Sequence, residues 1–195
     1  AGKPVTRRKK THKRSTKMAE DFQDLQEFLD RKNHEALNAV KQTPLANVLF
    51  GKDRDDEKKI LKSDSDEQLL ITVNFNTVVK LKAIQITAPT DCGPSSVKLF
   101  VNPGNLDFDG AEDEDGTQEI ELKPDDLKSG AKPIRLKFVK FQKVSNLSIF
   151  VPGNHDEAEE TIIQSIRFFG PSPIIEGSKP SLAQQKAASQ GDWLN

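Results

Sequence analysis

One cysteine, one methionine, one tryptophan and no tyrosine stand in 195 residues. A lone cysteine excludes an internal disulfide and any zinc site built from several thiolates, and it fits a reducing, intracellular compartment. No run of about 18 apolar residues occurs, so no membrane-spanning helix and no membrane partner are expected. No apolar signal-peptide core follows the basic start, which argues against export. Eleven phenylalanines against a single tryptophan make the aromatic content mostly core material.

What is present is an uneven charge. The net charge is −1, yet eight of the 29 basic residues and none of the 30 acidic ones fall within residues 1–18. Residues 19–195 therefore carry 21 basic and 30 acidic side chains, a balance of −9. The chain reads as a basic arm, residues 1–18, on an acidic body. The arm has no apolar periodicity, and alone it is expected to be disordered. Arg7, Arg8, Lys9, Lys10, Lys13 and Arg14 form a cluster suited to a nuclear import receptor or to RNA phosphates; a solvated tail is the alternative. The −9 body would itself repel phosphates.

The body divides by periodicity. Phe22, Leu25, Phe28 and Leu29 fall at helical spacing with acids in the first turn, which predicts a short amphipathic helix, its stripe continued by Leu37 and Val40. From Glu67 the period becomes two. Leu69, Ile71, Val73 and Phe75 share one face; Val79 and Leu81 are followed out of phase by Ile84 and Ile86, predicting a bulge near Ala83. Further strands are expected around Val97–Val101, Ile120–Leu122, Ile134–Phe141, Leu147–Val151 and Ile162–Phe168. Seven strands with little helix between them predict an all-β antiparallel sandwich or jelly roll over residues 19–176. A tail, residues 177–195, carries a capping-box pattern at Ser181 and Gln184 before a short helix-forming stretch.

Taken in order, "DLQEFLDRKNHEALNA", "TPLANVLFG", "LKSDSDEQLLITVNFNTVVKLKAIQI", "GPSSVKLFVN", "LDFDGAE", "IELKPDDL", "PIRLKFVKFQKVSNLSIFV" and "SIRFFGPSP" resemble the PITH domain, over roughly residues 22–173. This domain occurs C-terminal to thioredoxin in thioredoxin-like proteins, and alone in others. The resemblance implies a galactose-binding-like β-sandwich that docks on the regulatory particle of the 26S proteasome, with a cytoplasmic and nuclear location. These 195 residues hold no thioredoxin segment, a departure from the fused members.

Cys92-Gly93-Pro94-Ser95 is one letter from a thioredoxin Cys-Gly-Pro-Cys motif. Redox chemistry of that kind needs the thiol at a helix N-terminus and a second cysteine. Here a strand pattern follows and Ser95 replaces the resolving thiol, so Cys92 is expected to be a non-redox loop residue. The acidic segment "LDFDGAEDEDG" lacks EF-hand spacing and reads as a solvated hairpin loop, whose Asp107 and Asp109 could complement a basic patch on a partner. Asp64, Asp66 and Glu67 read as turn formers, since no nucleophile accompanies them. Trp193 and Leu194 form an apolar pair suited to a docking anchor or to folding back on the sandwich. No catalytic set, cofactor or metal site is expected. Besides a proteasome adaptor, the readings that stand are a nucleic-acid-associated or nuclear-targeted protein acting through its arm, and a carbohydrate- or peptide-binding jelly roll.

Overall fold

Alternating apolar residues in a run of short segments must bury one face each, and two such sheets do so by facing one another. The computed structural model describes residues 23–51, 54 and 56–173. The described strands are β1 (Gln23–Asp24), β2 (Leu29–Leu37), β3 (Leu61–Lys62), β4 (Leu69–Val79), β5 (Ala83–Thr87) and β6 (Ser96–Val101). They continue as β7 (Gln118–Glu121), β8 (Ile134–Arg135), β9 (Val144–Val151), β10 (Ile162–Ile163) and β11 (Ser165–Gly170). A five-stranded sheet runs β2-β4-β9-β6-β7 and faces a four-stranded sheet β1-β11-β5-β8; β3 and β10 form a separate ribbon. Every strand pairing is antiparallel. The fold is the expected all-β sandwich.

Leu69, Ile71, Val73 and Phe75 of β4 all point into the core, beside Leu147, Ile149 and Val151 of β9. The smaller sheet contributes Ile84, Ile86, Ile166 and Phe168. Phe75 and Phe168 meet edge to face at 5.8 Å, one ring from each sheet. Such contacts add to the area burial that drives the packing.

Four expectations are corrected. The N-terminal segment is not an amphipathic helix: one 3-10 turn, Gln26–Phe28, separates β1 from β2. Open strand edges explain this, because Gln23 and Asp24 pair with Gly170 and Phe169 on one sheet while Leu29 and residues 34–37 pair with β4 on the other. Sheet pairing satisfied the backbone better than an isolated short helix could. The slip near Ala83 is no bulge either. The chain leaves the large sheet at Val79 and enters the small one at Ala83, so the inward parity is reset by a change of sheet. In "PIRLKFVKF" only Ile134–Arg135 is strand; Phe138–Phe141 is a 3-10 turn, in which the three-residue spacing turns Phe141 fully inward. Likewise "TIIQSIRFF" breaks at Gln164 into β10 and β11, and Ile163 rather than Ile162 is the buried residue.

Candidate docking surfaces

The "TDCGPSS" stretch is a turn clamped against a neighbouring loop. Ile162 N–H donates to the Cys92 carbonyl and His155 N–H to that of Gly93, each at 2.9 Å. Gly93 is required here by close approach: a Cβ would lie 2.4 Å from the Pro89 carbonyl and 2.7 Å from Leu127. Strand β6, not a helix, follows the turn, so no helix dipole lowers the thiol pKa. Burial, and then the carboxylate of Asp91, push the Cys92 thiol above its ordinary value of 9.0. Raising a thiol pKa shrinks the thiolate fraction at neutral pH and moves its formation to more alkaline solution. Cys92 in the folded chain should therefore react with iodoacetamide more slowly at pH 7 than it does in the urea-unfolded chain. Equal rates would refute the protected environment.

The acidic segment is not a solvated hairpin loop. Its residues Phe108–Asp113 form a helix, capped by Asp107, whose carboxylate accepts from the Gly110 N–H at 2.9 Å. Leu106, Phe108 and Ala111 close over Leu70, Phe100 and Phe150 on the outer face of the large sheet, a second apolar cluster. Phe108 meets Phe150 edge to face at 6.2 Å. Asp107 and Asp109 both remain exposed on this cap, Asp107 bordering a polar hollow of about 280 Å³ with Glu35, Thr72 and Ser148. Asp66 is a turn residue: its carboxylate accepts from Gln68 N–H at 3.0 Å and from the Asn38 amide at 2.6 Å.

On the other sheet, a hollow of about 290 Å³ is walled by charged residues of both signs, Arg54, Arg167, Asp56 and Glu57, together with glutamines and small hydroxyl residues. Arg54 is 7% exposed and forks onto Asp24, its terminal nitrogens donating at 2.6 and 3.2 Å. This pair fastens residue 54 to β1, and so to the edge of the small sheet.

One edge of the sandwich was missed in the sequence reading. Residues 76–86 and 132–145 contain seven lysine or arginine residues and no carboxylate. They are zipped together: Leu81 N–H donates to the Phe141 carbonyl at 3.0 Å, Leu136 N–H to that of Lys82 at 2.9 Å, and Val79 pairs with Val144. The Lys82 ammonium lies 5.1 Å from the centre of the Phe138 ring. Val139 is 87% and Val78 55% exposed, the two large apolar side chains most open to water among the described residues. The signal was visible as the basic run "KPIRLKFVKFQK", but reading it as one strand hid the outward valine.

The arm residues Arg7, Arg8, Lys9, Lys10, Lys13 and Arg14, and the tail pair Trp193 and Leu194, lie outside the described residues.

In comparisons with solved structures, the fold is similar to a family 32 CBM from C. perfringens NanJ, solved in complex with galactose. That match has a TM-score of 0.55 and 13% identity, and covers 76% of this chain and 98% of the other. It is also similar to the fucolectin of striped bass serum, with a TM-score of 0.51 and 11% identity over 77% of this chain and 49% of that one. At such identities the likeness concerns the fold, a galactose-binding-like jelly roll. Among relatives, thioredoxin-like protein 1 of Schizosaccharomyces pombe is 35% identical over 85% of this chain and 57% of its own length. PITH domain-containing protein GA19395 of Drosophila pseudoobscura pseudoobscura is 33% identical over 69% of this chain and 63% of its own. The chain thus spans less than two thirds of either relative. The model of the PITH domain matches residues 15–188, and the chain belongs to the PITH domain family.

Proposed function

We propose that this chain is a non-enzymatic binding module that docks on the regulatory particle of the 26S proteasome, acting in the cytoplasm and nucleus. The observation that supports the reading most is family membership along residues 15–188, a span that contains all the described strands. Proteasome docking is what the PITH resemblance implies. The jelly-roll neighbours, which are carbohydrate-binding modules and lectins, agree with a binding rather than a catalytic role.

Co-sedimentation with intact 26S proteasome tests it, using the full chain, a form lacking residues 1–17 and a form lacking residues 177–195. Binding by all three forms is expected, because the interface is assigned to the sandwich. Binding lost with residues 1–17 would move the function to the basic arm, where steep salt dependence would follow. Failure of every form to sediment near physiological salt would refute the reading.

A further inference from the structure

The edge built from residues 78–82 and 136–143 joins three properties that rarely coincide without a partner. It is apolar at its most exposed point, because the turn that buries Phe141 forces Val139 outward. It is rigid, since two backbone hydrogen bonds and the Val79–Val144 pairing hold both segments to the sheets. It is also basic: Lys80, Lys137, Lys140 and Lys143, in the same two segments as the valines, are all exposed, and the Lys140 ammonium donates to the Thr117 carbonyl at 3.0 Å. Residues 19–195 together carry −9, so these two segments are opposite in sign to the net charge of the body that bears them.

Scattered surface apolar residues are ordinary, but exposed apolar side chains on a pinned backbone, in segments whose charges are all of one sign, have the makings of an interface: a centre to desolvate and charges to steer. We infer that this edge is the docking surface of the sandwich, and that its occupant is an acidic protein segment bearing an apolar side chain. The inference rests on the proteasome reading above and places that segment on a protein of the regulatory particle. Charge complementarity selects the occupant, because a basic segment would be repelled by the lysines and a neutral one would leave them unmatched. The acidic cap that Asp107 begins packs on the outer face of the large sheet and is assigned no part.

The test uses the full chain and intact 26S proteasome. A Val78→Asp, Val139→Asp variant should bind about tenfold or more weakly, and a Lys137→Glu, Lys140→Glu variant should associate more slowly, with the difference shrinking as salt rises. An Asp107→Lys, Asp109→Lys variant should bind like the parent. Thermal unfolding checks that all three fold. If the parent binds and the valine and lysine variants bind equally well, the inference is wrong and the proteasome reading stands. Should the parent itself fail to bind, both fall. A parallel measurement with phosphatidylserine-containing vesicles decides the class of partner: vesicle binding that the valine variant loses, with proteasome binding unchanged, would overturn the protein occupant.

Discussion

Replacing Phe141 by alanine should lower the unfolding free energy by about 3–5 kcal/mol, the range for deleting a fully buried aromatic ring. Phe141 is 0% exposed and belongs to the main core cluster with Leu81, Val144 and Phe168. The loss combines the transfer of the ring with the cavity left among neighbours that cannot collapse, because Leu81 and Val144 are fixed by strand pairing and by the Leu81 N–H bond to the Phe141 carbonyl. For a chain of this size the melting temperature should fall by on the order of 10 °C. Phe141→Leu should retain much of the stability, since it refills most of the volume. Denaturant unfolding measures both, and an alanine variant less than about 1 kcal/mol below the parent would show that the turn is not anchored by this ring. The variant matters for binding too, because Val139 is displayed only while Phe141 holds the turn down.

Asp24→Ala should cost about 3 kcal/mol, for a different reason. It would leave the Arg54 guanidinium buried without its carboxylate, and the Nε of Arg54 already lacks a partner among the described residues. The lower end of the range for a broken buried pair applies, because Asp24 keeps 27% exposure and solvent reaches one side. Asp24 also accepts from the Gln26 N–H at 3.0 Å, so the turn into β2 loses an anchor. A double variant, Asp24→Ala with Arg54→Met, should recover much of the loss, since it removes the stranded charge and refills the space. Chemical denaturation of the four proteins closes the cycle. No recovery in the double variant would mean that the cost lies in the turn and not in the charge.

Where the strands alternate over several residues, the sequence alone was enough. Leu69 to Phe75 and Leu147 to Val151 were legible because one buried face imposes a period of two. The errors came where tertiary pairing overrode local pattern. Leu25, Phe28 and Leu29 sit at helical spacing by coincidence: Leu25 donates its N–H to Phe168, about 140 residues away in sequence, which no local window contains. The reset at Ala83 looked like a bulge because a change of sheet and an inserted residue leave the same mark on parity. Leu70, Phe100 and Phe150 form an outer cluster that alternation assigns to solvent; it is closed by Phe108, hidden inside a run of acids. On the surface, Val78 and Val139 were not legible, because exposure of an apolar residue is a property of the finished fold.

Strand β1 pairs with β11, so Gln23 sits opposite Gly170. The polypeptide enters and leaves the sandwich a strand's width apart, about 5 Å. A newly made chain therefore cannot seal its small sheet until residue 170 has left the ribosome, and through that time the edges of β1 and β5 that β11 will cover stay open to other strands. Both ends of the described body therefore lie at one corner of the sandwich, and a chain prolonged at either end would be joined to it there.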